Sequence, residues 1–258
     1  MDFAHAFSGF LVGLLVGVTG VGGGSLMAPI LILIFGVAPT TAVGTDLLFA
    51  AATKTVGGAI HHAKNSADLK VVGRLAIGSI PAAIVTVAIL NSLHWTQVKQ
   101  GWLPTALGLV LVATAVATLA RPVLHRLVLR RGTRETMLRW QLILTILSGV
   151  ILGVLVTLTS VGAGALGATL LILLYPIRLD TKQVVGTDIV HAIPLTLIAG
   201  IGHFMIGSVD GMLLLNLLIG SIPGIIIGAL LVQRVSEKLV RYALSAVLVL
   251  TGVRLIAV

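Results

Sequence analysis

The chain has 258 residues, 57% hydrophobic and only 10% charged, with no cysteine and a formal net charge of +9; its mean hydropathy is +1.14. Soluble domains average about 25% charged residues, so this composition excludes one, and apolar stretches of spanning length recur throughout, as in a polytopic helical membrane protein. The missing cysteines exclude disulfides, zinc thiolates and iron–sulfur centres, and the basic excess reads as cytoplasmic loop charge rather than nucleic-acid binding.

The chain opens Met1-Asp2-Phe3, without the basic region of a cleaved signal peptide. An apolar segment over roughly 8–36 follows, interrupted by TGVGGGS, Thr19 to Ser25. Gly20, Gly22, Gly23 and Gly24 would each weaken an ordinary helix by about 1 kcal/mol. Spans are predicted over 44–62, 69–91 and 103–120, and then come six arginines between Arg121 and Arg139. The second half opens with another interrupted segment, 140–175, broken at TSVGAGALG, Thr159 to Gly167. Spans over 185–206, 210–231 and 238–257 complete the chain. This divides it into a first transmembrane repeat (1–120), a basic cytoplasmic linker (121–139) and a second repeat (140–258).

The two halves match in register. At a constant offset of 140, Gly13 matches Gly153, Thr19 matches Thr159, Gly22 matches Gly162 and Gly24 matches Gly164. A two-residue insertion moves the offset to 142, where Gly44-Thr45-Asp46 matches Gly186-Thr187-Asp188, His61 matches His203 and Asp68 matches Asp210. Gly78-Ser79-Ile80-Pro81 likewise matches Gly220-Ser221-Ile222-Pro223. Membrane composition alone does not place so many polar and glycine residues in register.

Each broken segment could cross once as a kinked helix or turn back as a re-entrant hairpin. With arms of about a dozen residues, each arm reaches ~18 Å, half of a ~30 Å hydrocarbon core. Basic residues arbitrate. With hairpins, 14 of them (Lys64, Lys70, Arg74, the six from Arg121 to Arg139, Arg178, Lys182, Arg234, Lys238 and Arg241) share one side, against Lys99 and Arg254 on the other. Single crossings divide them far less cleanly. The positive-inside rule therefore favours inverted repeats, with the 121–139 segment cytoplasmic and both termini outside. The expected fold is all-α, each repeat a re-entrant hairpin plus three transmembrane helices.

Two half-depth hairpins would bring residues 20–25 and 160–165 together near the midplane. Irregular backbone there must be buried in protein or line a cavity, and free N–H groups of restarting helices suit an anion. Gly22, Gly23, Gly24, Ser25, Gly162, Ala163, Gly164 and Ala165 are therefore candidate substrate contacts. Close helix packing is the plainer explanation of the same glycines. The motif is neither a P-loop nor a dinucleotide loop.

With PILILIFGVAPTTAVGTD after the first break and LLILLYPIRLDTKQVVGTD after the second, the chain resembles the TauE/SafE sulfite exporters, also called the 4-toluene sulfonate uptake permease family. The resemblance covers nearly the whole chain. It implies transport of sulfite, sulfonates or related organic anions. Many members carry a small or hydroxyl residue after the Gly-Thr, whereas both copies here carry aspartate.

Asp46, Lys54, His61, Asp188, His191 and His203 interrupt segments otherwise able to span, where charge is costly and usually functional. On a helix, Asp46, Ala50, Thr53, Lys54, Gly57 and His61 share one face, which should look into the bundle. Lys54 is a candidate anion contact or the partner of Asp46 or Asp188; Thr196 replaces it in the repeat. Thr45 and Thr187 are further candidate substrate contacts. Asp46 and Asp188 read first as N-terminal caps of their spans and second as coupling groups. His61, His191 and His203 are candidates for coupling or gating, with a hydrogen-bonded structural role favoured for His61 and His203. His61-His62 with Asp68 makes a poor metal site, because no helical H-x-x-x-H pair exists. The basic 121–139 segment reads as an orienting, lipid-facing loop.

The function expected is secondary transport of a small anion across a bacterial-type cytoplasmic membrane by alternating access. The alternatives are an anion channel and a membrane-embedded enzyme; no nucleophile elbow or HExxH motif supports the enzyme. Partners reduce to the small anionic substrate and the bilayer, with no cofactor, no metal and no nucleic acid.

Overall fold

The computed structural model describes residues 3–19, 24–63, 67–93, 103–131, 135–162, 164–231 and 237–257. All regular structure among them is helical: α1 (Phe3–Thr19), α2 (Gly24–Leu33), α3 (Pro39–Ala63), α4 (Leu69–Ser92), α5 (Leu103–Arg131), α6 (Glu135–Thr159), α7 (Ala165–Leu174), α8 (Thr181–Met205), α9 (Gly211–Leu231) and α10 (Glu237–Ile256). Five segments of these helices are long and apolar enough to cross a membrane: Leu69–Ser92, Pro104–Leu124, Trp140–Thr159, Lys182–Met205 and Gly211–Gly228.

Three aspartates set helix starts. Asp68 accepts the Lys70 and Val71 N–H groups at the head of α4, and Asp210 accepts those of Met212 and Leu213 at the head of α9. Asp180 and Gln183 form a reciprocal capping box on α8. Each relieves N–H groups that the first helical turn cannot satisfy itself.

Both arms before the breaks are longer than the dozen residues expected. α1 has 17 residues and α6 has 25, while α2 and α7 have 10 each. At 1.5 Å per residue the later arms reach only ~15 Å. Their ends return to the starts of the longer arms. The Gln141 side chain donates to the Leu174 carbonyl, and Thr145 and Tyr175 share a 2.9 Å hydrogen bond. In the first half the rings of His5 and Phe35 lie 4.3 Å apart; these residues precede Thr145 and Tyr175 by 140 positions.

Lipid offers no hydrophobic drive for helices to associate, so close backbone approach matters. α1 packs on α9, and α4 on α6. A Cβ on Gly9 or Gly13 would strike the backbone of Leu217 or Ser221, and one on Gly149 or Gly153 that of Leu75 or Ser79. The contacts are the same pairs at offsets of 140 and 142. α3 packs on α8 in opposite senses: Gly200 meets Leu48, while Gly58 meets Ile189 and Ile193. α5 and α10 also pair.

The segment after Arg121 is not a loop. α5 continues without interruption to Arg131, and α6 begins at Glu135.

Candidate functional site

The polar face of α3 looks inward over its first part: Asp46, Ala50, Thr53 and Lys54 are all buried, Gly57 is half-buried, and the His61 side chain lies outside the described residues. Lys54 is 2% exposed, Asp46 is fully buried and Asp188 is 2% exposed. Asp46 and Asp188 occupy matched places on α3 and α8, which pack together. The charge of Lys54 acts on both carboxylates.

Neither aspartate caps its own helix, contrary to the sequence reading. α3 starts at Pro39 and α8 at Thr181, so Asp46 and Asp188 each lie seven residues inside. Both instead address the short helix after a break. Asp46 Oδ2 accepts the Ala28 N–H of α2 at 3.3 Å, and also the Ser160 hydroxyl at 2.8 Å. Asp188 Oδ1 lies against Gly167 in the first turn of α7, where any Cβ would collide with it. The positive end of a helix dipole favours a carboxylate there. Oδ1 of each aspartate is buried without a hydrogen-bond partner among the described residues.

Among its described residues the second break carries three with positive φ: Ser160 at 58°, Gly162 at 109° and Gly164 at 144°. Glycine accepts these angles at little cost, whereas Ser160 is strained. Ser160 is held there by its bond to Asp46. Of the predicted tip residues, Gly22, Gly23 and Ala163 lie outside the described residues, as do the side chains of Ser25 and Ala165. Gly24 begins α2.

Sequence reasoning missed Arg121 as a site residue. Its Nη2 donates to the Gly164 carbonyl at 3.1 Å, and its Nε faces Thr169 Oγ1 at 3.5 Å. Its charge acts on Asp188. Arg121 is therefore no lipid-facing loop residue. It lies inside the Pro104–Leu124 candidate span, and this position within an apolar stretch was the available signal.

His191 Nε2 and Ser79 Oγ are 2.8 Å apart, both buried, joining α8 to α4, and His191 is within electrostatic reach of Lys54. His203 Nε2 hydrogen-bonds the Thr157 carbonyl at 3.0 Å, as the structural reading of it expected. The His61 side chain lies outside the described residues. Thr45 and Thr187 are buried, and Thr45 Oγ1 accepts the Asp210 N–H at 3.1 Å and Thr187 Oγ1 the Asp68 N–H at 2.9 Å.

The halves differ at the centre. Thr196, in the place of Lys54, returns its hydroxyl to the Ala192 carbonyl at 2.8 Å, and buried Phe49 stands in the place of His191. The described cations of the site, Lys54 and Arg121, both act on Asp188.

The sulfite exporter TauE/SafE family matches residues 5–255. The chain belongs to this family. It is 42% identical over 264 residues to the probable membrane transporter protein YjnA of Bacillus subtilis (strain 168), covering 99% of this chain and all of that one. It is 27% identical over 252 residues to the probable membrane transporter protein YdhB of the same organism, covering 96% and 97% of the two chains. No solved structure matches. The charged groups gathered on α3, α5 and α8 are thus two buried carboxyls, a buried lysine and an arginine bonded to the break before α7.

Proposed function

We propose that the chain is a secondary transporter of small anions, namely sulfite, organosulfonates or related sulfur oxoanions, working by alternating access in a bacterial cytoplasmic membrane. The observation that carries this reading is Lys54, buried where its charge acts on matched aspartates of both halves. A midplane ammonium offers a charge-assisted contact for an oxoanion, and the N-termini of α2 and α7 add their dipoles. Arg121 provides a second cation at the break before α7. The family description and both relatives' names support transport, and the sulfur-oxoanion class comes from the family.

The inverted-repeat reading has independent support. Asp68 pairs with Arg178, Nη2 to Oδ2 at 2.7 Å, and Thr45 accepts from Asp210. Single kinked crossings would put the partners of each pair on opposite sides of the membrane. Hairpins put 62–69 with 176–184 on one side and 36–45 with 206–210 on the other. The opposed packing of α3 and α8 agrees with equivalent helices related by inversion.

Counterflow in proteoliposomes tests the function. External labelled sulfite or methanesulfonate should accumulate transiently against an internal unlabelled pool, and sulfate, chloride and phosphate show how selective the site is. Flux of sulfur anions without counterflow would mark a channel. No flux of any sulfur anion would overturn the substrate reading.

A further inference from the structure

We propose that the substrate anion travels with one proton, and that Asp46 takes up this proton when the anion engages Lys54. The inference rests on the transporter reading above and adds the coupling ion.

Charge balance leads to it. The charge of Lys54 acts on Asp46 and Asp188 and that of Arg121 on Asp188, so two cations stand against two carboxyl groups. An entering anion adds a negative charge in a low-dielectric interior, which is costly unless a cation enters too. The two aspartates are not equivalent in this respect. Asp188 is under the charges of Lys54 and Arg121, whereas Lys54 is the cation whose charge acts on Asp46 among the described residues. An anion that draws Lys54 away leaves Asp188 with Arg121 and Asp46 without a counter-charge.

The surroundings of Asp46 fit a proton better than a metal cation. Its Oδ2 meets two donors, the Ala28 N–H and the Ser160 hydroxyl, and its buried Oδ1 meets no partner among the described residues. A divalent ion needs a shell of oxygen ligands instead, and the described residues contain no metal-holding cluster of His, Asp or Glu. Of the helices packed around α3, α2 and α9 carry no titratable residue, and α6 has none from Gln141 to Thr159. α1 brings His5, whose ring lies against Phe35. α8 brings Lys182, exposed at its start, Asp188, His191 bonded to Ser79, and His203 bonded to the Thr157 carbonyl. In the balanced step the proton enters from the same side as the anion, bonds to Asp46 Oδ1, and leaves with the anion on the other side.

The test uses the full chain in proteoliposomes, with the membrane potential clamped to zero by potassium and valinomycin. Methanesulfonate serves as the probe because it stays an anion throughout the pH range. A gradient one unit more acid outside should drive about tenfold accumulation, and a trapped pH dye should report one proton entering per anion. In Asp46→Asn, gradient-driven accumulation should vanish while some counterflow persists. Binding to wild-type protein in weakly buffered detergent should also take up one proton per anion, a readout independent of how the variant folds. Counterflow with neither proton entry nor proton uptake on binding would overturn the coupling and leave the transporter reading standing. Gradient response lost in Asp188→Asn but retained in Asp46→Asn would overturn the assignment to Asp46. Absence of counterflow for both methanesulfonate and sulfite would overturn the transporter reading, and this inference with it.

Discussion

The Ser160 hydroxyl donates to Asp46 Oδ2 at 2.8 Å, joining the break of the second half to a carboxylate of the first. Both residues are buried, and Ser160 holds a φ of 58° to make the bond. A hydrogen bond to a charged group contributes ~1.5–3 kcal/mol. Ser160→Ala should therefore destabilise the protein by about that amount, with reduced transport. Ser160→Gly loses the same bond but tolerates positive φ, so it should recover up to about 1 kcal/mol of the loss. Thermal unfolding of the three proteins in detergent checks this. Equal stability of the serine and alanine forms would mean that the bond contributes nothing.

Lys54 is the second test. Removing one partner of a buried charge cluster leaves the others uncompensated and costs about 3–5 kcal/mol. Lys54→Met should destabilise on that scale and weaken anion binding roughly ten- to hundredfold. Adding Asp46→Asn or Asp188→Asn should restore stability but not binding. Lys54→Arg should retain part of the binding, since charge survives while geometry changes. Unfolding and sulfite or methanesulfonate binding, measured together, separate the two roles. Normal affinity in a destabilised but rescued Lys54→Met would assign the lysine to structure alone.

Orientation follows from the pairing of ends. The chain has no cysteine, so single introduced cysteines report without background. Ile34 and Met205 are exposed, as are Lys70 and Ile177. In sealed cells, an impermeant thiol reagent should label cysteines at Ile34 and Met205 and spare those at Lys70 and Ile177. Labelling of Ile177 together with Ile34 would contradict the hairpin arrangement.

The Asp68–Arg178 pair predicts a pH dependence. Partial burial pushes the Asp68 carboxyl upward, but the Val71 N–H, the hydrogen bond and charge of Arg178, and the Lys70 N–H outweigh it and hold Asp68 below its ordinary value. A depressed carboxylate contributes stability that is fully present above its unfolded value, about 3.9. That contribution is lost as pH falls through the lower folded value. Arg178 is 41% exposed in its side chain, which limits the pair to roughly 1 kcal/mol or less. Arg178→Gln should lower stability by this amount at pH 7, and the difference from wild type should close below about pH 4. A constant difference from pH 7 to pH 3 would trace the effect to lost packing of Arg178 over the Tyr175 ring, 5.8 Å away.

The sequence alone determined the membrane class, the duplication and the buried face of α3. Each of these is a local or periodic property, carried by apolar run length, by register at offsets of 140 and 142, and by helical spacing. It also contained the true helix starts, in the Asp180–Gln183 box and in Pro39 at the first position of α3. Those signals were masked because residues 40–43 and 181–185 look like loop beside the Gly-Thr-Asp sequences. Tertiary structure decided what the acids do. Asp46 and Asp188 address breaks rather than their own helix ends because α2 and α7 turn their N-termini toward α3 and α8. Arg121 became a site residue for the same reason: α5 packs beside α7 and carries the guanidinium to the Gly164 carbonyl, 43 residues on in the chain. Contacts of that kind depend on which helices are neighbours, and neighbour choice in lipid rests on backbone fit at small residues, which no single stretch of sequence encodes.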